Sequence, residues 1–230
     1  MVTIDLIMKK KVNTMDNLSI FKRNNSLLNI VYWLCLITIM YNIIEGIVAL
    51  FFGFHDRTIA LFGFGLDSFV EVISGIGIGH MIWRMKWNPV ISWDKFERQS
   101  LFVAGIFFYI LTVGLVIGST LILIYNVKPN TTKIGIIISL LSILTTWILF
   151  RSKSRVGREL SLESVLADSD CTKTCIYMSV VLFVSSIFYN VFEISYIDVM
   201  GCISIAFFTF WKGKEAIEKA RGLNQNIINR

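Results

Sequence analysis

The stretch GFGLDSFVEVISGIGIG, residues 63–79, decides how this chain folds. Two carboxylates, Asp67 and Glu71, stand four positions apart in it, and apart from two serines the other residues are apolar or glycine. On a helix, positions i and i+4 lie on one face, so both carboxylates point the same way. Acidic side chains are costly in a bilayer, and those found there generally mark an ion path or a proton relay. The stretch predicts a membrane helix with a functional acidic face.

A second stretch, SVLADSDCTKTCIYMSVVLF (residues 164–183), repeats this spacing with Cys171 and Cys175. Two carboxylates and two thiols at similar depth predict a four-ligand metal site, with Asp168 as an outer ligand or proton acceptor. Oxygen and sulfur ligands together favour Zn²⁺, with Cd²⁺ or Co²⁺ also acceptable. The alternatives are that the cysteines are small apolar packing residues and that the carboxylates form a structural hydrogen-bonded pair.

Composition indicates an integral membrane protein. The 230 residues are 55% hydrophobic and 17% charged, whereas about a quarter of the residues of soluble domains are charged. A spanning helix needs ~20 mostly apolar residues. Six stretches qualify, at about residues 28–53, 58–83, 100–126, 132–150, 160–188 and 194–211. We therefore expect an all-α polytopic protein with an N-terminal segment (1–27), a six-helix transmembrane domain (28–220) and a short tail (221–230).

The net charge of +6 is interpreted as a topology signal, so no nucleic-acid partner is expected. Basic residues gather in the N-terminal segment, after the second and fourth stretches and in the tail, which places both termini in the cytoplasm. They are Lys9, Lys10, Lys11, Lys22 and Arg23; Arg84, Lys86, Lys95 and Arg98; Arg151, Lys153, Arg155 and Arg158; and Lys212, Lys214, Lys219 and Arg221.

With these features the chain resembles the cation diffusion facilitator transporters. GLDSFVEVISG (65–75) is similar to that family's second-helix D-S-x-x-D run, with Glu71 in the last place. LESVLADSDCTKTC (162–175) is similar to its fifth-helix A-D-x-x-H-x-x-x-D run, with Cys171 and Cys175 at the ligand positions. YIDVMGCISIAFFTFWKGKEAI (196–217) resembles its last helix, with Asp198 near the outer start and Gly213 near the inner end.

The resemblance implies export of a divalent metal cation by alternating access, coupled to inward proton flow, from a homodimer. The metal is a transported substrate, and neither a tightly bound cofactor nor an enzymatic activity is expected. The double cysteine departs from the family pattern, and we expect a short form that lacks the family's cytoplasmic C-terminal domain. Low proline with many Ile, Asn and Lys residues is typical of AT-rich bacterial genomes, so a bacterial plasma membrane is expected.

Two other functions stay open on the sequence. One is a membrane redox or metal-sensing protein in which Cys171 and Cys175 form a switch. Thiols four apart on a helix lie at the distance limit for a disulfide, so oxidation would require local distortion. The other is a membrane enzyme that uses the carboxylates on lipid substrates, although the chain shows no Ser/His pair or phosphate-binding loop.

Overall fold

A computed structural model shows that all regular secondary structure in the described part of the chain is helical, as predicted. Its six helices are α1 (Val2–His55), α2 (Ile59–Trp87), α3 (Lys95–Tyr125), α4 (Lys133–Leu160), α5 (Glu163–Phe192) and α6 (Ser195–Ile228). The structure describes the backbone of residues 2–87, 95–125, 128–129, 133–160, 163–192 and 194–228. Side chains are described for residues 26–84, 98–125, 128–129, 133–160, 165–166, 168–192, 194 and 196–221.

Five helical segments are long and apolar enough to cross a membrane. They are Ser26–His55, Ile59–Arg84, Arg98–Tyr125, Lys133–Leu160 and Asp168–Phe192. The described part of α6 does not reach the same apolarity, since it carries Asp198 and Lys212. The sixth span and the cytoplasmic location of both termini stay predictions. The basic side chains of the N-terminal segment, and those of Lys86 and Lys95, lie outside the described residues.

The distribution of side chains is the reverse of that in a soluble protein. Large apolar groups cover the outside, among them Trp33, Phe54 and Ile117. Charged groups such as Asp67 and Lys212 are buried, although ionised side chains are rarely inside soluble proteins. Lipid tails solvate an apolar exterior, and charged residues in membrane helices generally face the bundle interior. The arrangement fits an integral membrane protein.

Helix α2 lies at the centre of the bundle, against α1, α3, α5 and α6. Glycines bring its backbone close to that of α1. A Cβ on Gly53 would lie 2.5 Å from the backbone nitrogen of Phe62, and one on Gly65 would lie 2.8 Å from that of Leu50. Small residues allow such close approach in lipid, where burial of apolar surface gives little driving force. This packing holds the acidic face of α2 against its neighbours.

Two apolar clusters fill the interior and leave a gap between them. The first includes Leu61, Phe64 and Val70 of α2 with Met178 and Leu182 of α5. The second includes Val31, Cys35, Ile78, Ile82 and Val165. Glu71 on α2 and Asp168 on α5 lie between the two clusters along their helices, and Asp67 lies one turn before Glu71, beside residues of the first cluster. Six buried or half-buried charged groups from five helices form what we call the polar layer: Glu45, Asp67, Glu71, Lys153, Asp168 and Lys212.

Two lysines of the polar layer were wrongly placed by the sequence interpretation. It counted Lys153 and Lys212 among the charges of a loop and of the tail. Helix α4 continues to Leu160, beyond the predicted end of the fourth span at residue 150, and Lys153 on it is only 1% exposed. Lys212 on α6 is 3% exposed. Both side chains turn into the bundle because carboxylates inside it offer them partners.

Candidate functional site

Asp67 and Glu71 project from α2 into the polar layer, as their spacing predicts. Asp67 is buried, and the Glu71 side chain is 13% exposed. At the start of the same helix, Asp198 of α6 accepts a hydrogen bond from the Ile59 amide at 2.9 Å. The first amides of a helix lack partners within it. The contact therefore satisfies one of them and fixes the register of α2 against α6.

The ammonium group of Lys212 bridges the two carboxylates. Its Nζ lies 2.8 Å from Asp67 Oδ2 and also donates to Glu71 Oε1. Long side chains on a helix lean toward its N-terminus. This direction carries the Lys212 side chain from the C-terminal half of α6 back toward the acidic face of α2. One cation thus offsets the repulsion between two neighbouring carboxylates. Asp67 Oδ1 is buried and has no hydrogen-bond partner among the described residues.

Glu71 has hydrogen-bond partners on three other helices. The Cys175 thiol of α5 donates to its Oε1 at 2.7 Å, and the Asn42 amide of α1 donates to its Oε2 at 3.0 Å. The Cys175 sulfur also lies 3.8 Å from Lys212 Nζ. Four helices, α1, α2, α5 and α6, therefore meet around one carboxylate, with a cation and a thiol among its partners.

A second buried ion pair joins α4 to α5. Lys153 Nζ lies 2.8 Å from Asp168 Oδ2 and 3.3 Å from the Thr172 hydroxyl. The Cys35 sulfur of α1 lies 3.9 Å from the same carboxylate oxygen. Asp168 is thus paired with a lysine in this arrangement, although the sequence suggested it as an outer metal ligand or proton acceptor.

Glu45 of α1 extends the polar layer and contacts hydroxyl groups. Tyr41 donates to Glu45 Oε1 at 2.8 Å, and Ser68 of α2 donates to Oε2 at 3.2 Å. Glu45 is 8% exposed, so bulk water solvates it little. Both hydrogen bonds are donated to the carboxylate, so they offset part of the cost of burying its charge.

A cavity of about 30 Å³ lies between the two ion pairs. Its lining includes Glu71 and Lys212 of one pair, Lys153 and Asp168 of the other, and Cys171. By this measure, a single water needs roughly 10–15 Å³. The cavity therefore has room for a water molecule or a bare cation next to both pairs.

The five residues suggested as metal ligands divide into two groups. Asp67, Glu71 and Cys175 meet around Lys212 Nζ, whereas Cys171 and Asp168 line the cavity beside them. Within the described side chains, no three His, Cys, Asp or Glu residues are arranged to hold a metal ion. The reason is local: the Lys212 ammonium lies where the three suggested ligands converge.

Sequence reasoning missed both lysines of the site. Each stands at the C-terminal end of an apolar stretch, where a lysine commonly extends its ammonium group to the aqueous surface. The one available signal was the surplus of carboxylates in apolar stretches, since buried carboxylates need a cation or a proton. That signal asks for a partner but does not identify it.

Comparison with known proteins does not assign the chain to a family. No protein-family model matches the sequence, and no match to a curated protein is found.

Proposed function

We propose that this protein is a six-span membrane transporter that exchanges a divalent metal cation, Zn²⁺ or the similar Cd²⁺ and Co²⁺, for protons. The charge balance of the polar layer carries the proposal. It holds four carboxylates and two ammonium groups among the described residues. Two negative charges are therefore left without a cation in a place where uncompensated charge is expensive. Two protons or one divalent cation would balance them.

The chemistry of the groups favours a metal of the zinc class. Asp67 and Glu71 offer oxygen and Cys175 offers sulfur, a mixture that suits Zn²⁺ better than Mg²⁺ or Ca²⁺, which prefer oxygen alone. A thiol must lose its proton to bind a metal, so loading is linked to proton release. Cys171 and Asp168 line the adjoining cavity and supply the next ligands along the ion path.

The proposed mechanism is alternating access around the polar layer. Movement of helices against each other would open the layer to one side of the membrane at a time while the site itself stays near the midplane. The resemblance to cation diffusion facilitators supports this cycle and suggests metal efflux by a homodimer. The empty carrier would return with two protons on these groups, and exchange of two protons for one divalent cation is electrically balanced.

Flux measurements in proteoliposomes test the proposal. The purified protein is reconstituted, a pH gradient is imposed, and uptake of Zn²⁺, Cd²⁺, Co²⁺ and Mn²⁺ is followed. We expect gradient-dependent Zn²⁺ or Cd²⁺ flux that is lost in Glu71→Gln. The matched control is Glu218→Gln, since the Glu218 side chain is 66% exposed on α6.

Absence of flux for every metal in the wild-type protein would overturn the transport proposal. A metal-dependent change in the thiol state of Cys171 and Cys175, without any metal flux, would instead favour the redox or metal-sensing function. Flux that persists in Glu71→Gln would place the cation site elsewhere in the protein.

A further inference from the structure

Lys212 occupies the place at which the suggested metal ligands converge. Its Nζ contacts oxygens of Asp67 and Glu71 and lies 3.8 Å from the Cys175 sulfur. A cation cannot share this place with the ammonium group, because the two would repel each other at contact distance. In this arrangement, the site is therefore already filled by a cation that belongs to the chain.

We infer that Lys212 is a built-in competitor of the transported cation, which must displace the Lys212 ammonium group from Asp67 and Glu71 in order to bind. This inference rests on the proposed function and adds the residue that sets how tightly the cation is held. A lysine is suited to the role because its charge sits on a flexible four-carbon stem that can swing away. The cavity next to Glu71, which Lys212 also lines, gives an incoming ion room beside the ammonium group.

The unused oxygen of Asp67 supports the same inference. Lys212 satisfies Asp67 Oδ2, but within the described part of the chain the buried Oδ1 has no partner. An ion pair built only for stability would be expected to satisfy the remaining acceptor, since buried pairs repay their desolvation only with good additional hydrogen bonds. The spare acceptor oxygen is available to an incoming cation.

Competition makes a specific prediction for affinity. Replacing Lys212 by methionine keeps a long apolar stem but removes the charge that the metal has to displace. The dissociation constant for Zn²⁺, measured by calorimetry on the purified protein at one fixed pH, should fall about ten-fold or more. Lys214→Met is the matched control, because Lys214 lies two positions along α6 and its side chain is 55% exposed. Its dissociation constant should equal that of the wild type.

Chemical labelling of lysines gives a second test that needs no substitution. Reductive methylation followed by mass spectrometry reports which ammonium groups are accessible. Lys212 and Lys153 are both buried, whereas Lys214 is exposed. Adding Zn²⁺ should raise the labelling of Lys212 and leave Lys153 protected, while Lys214 is labelled throughout.

The outcomes separate this inference from the proposed function. Wild-type protein that neither binds nor transports any metal overturns the proposed function. Wild-type protein that binds Zn²⁺, with a folded Lys212→Met variant that binds equally or more weakly, overturns the competition and makes Lys212 a structural partner. If Lys212→Met does not fold, the labelling decides: a Zn²⁺-dependent rise at Lys212 supports the competition, and unchanged labelling overturns it.

Discussion

Lys212 Nζ lies 2.8 Å from Asp67 Oδ2, although 145 positions separate the two residues and both are buried. The pair joins the acidic face of α2 to α6, whose Lys212 ammonium group lies inside the bundle. Because the same ammonium group also contacts Glu71, one lysine determines the charge of the whole acidic face. In the proposed function, the same side chains provide both structural pairing and cation binding.

The second ion pair should contribute chiefly to stability. We expect Lys153→Met to lower the free energy of unfolding by about 3–5 kcal/mol, since it leaves Asp168 buried without its cation. The double variant Lys153→Met with Asp168→Asn should recover much of the loss, because neither remaining group is charged. Unfolding in detergent, followed by circular dichroism against denaturant, measures both. Lys173→Met is the control, as Lys173 is exposed on α5; a double variant as unstable as the single one would contradict the pairing.

Close packing of α1 on α2 predicts opposite effects for two glycine substitutions. Gly53→Ala places a Cβ against the Phe62 backbone, 2.7 Å from its Cα, and overpacking of this kind costs about 1–3 kcal/mol. A Cβ on Gly114 of α3 would have no described neighbour within 4 Å. Gly114→Ala should therefore stabilise its helix by about 0.5–1 kcal/mol. Thermal unfolding of the two variants in one detergent gives the comparison. Equal stability of both would show that α1 and α2 do not approach as closely as described.

Three cysteines, Cys171, Cys175 and Cys202, should differ in their effect on transport. Cys175 contacts Glu71 at 2.7 Å, so Cys175→Ala should lower Zn²⁺ flux about ten-fold or more, as expected for loss of a metal-site partner. Cys171 lines the cavity, and Cys171→Ala should lower flux less. Cys202→Ala is the control, because Cys202 is buried in the apolar cluster with Ile205. Equal flux in all three variants would mean that the thiols are packing residues.

The contact between Asp198 and the start of α2 predicts a local effect on helix stability. Asp198→Ala removes the oxygen that accepts from the Ile59 amide, and loss of such a partner costs about 0.5–2 kcal/mol. Amide hydrogen exchange in the first turn of α2 should accelerate, while exchange further along the helix changes little. Asp198→Asn keeps an acceptor and should preserve protection. Asp170→Ala, at an exposed position of α5, serves as the unaffected control.

The helices and the acidic face of α2 could be predicted from the local sequence. Apolar length predicts spanning helices, and i, i+4 spacing places Asp67 and Glu71 on one face, because both follow from local helix geometry. Five apolar segments are long enough to cross a membrane. The described part of α6 falls short in apolarity, and it carries Lys212, the residue that completes the site.

The pairing of the charges depends on how the helices pack and could not be predicted from the sequence. A lysine at the end of an apolar stretch, such as Lys153 or Lys212, can extend to water or turn into the bundle. The local sequence does not distinguish these two directions. The choice depends on whether a carboxylate from another helix lies within reach, as Asp168 and Asp67 do here. The contact between Glu71 and Cys175 likewise spans 104 positions. Helix packing, which depends on shape complementarity between distant segments, brings these groups together.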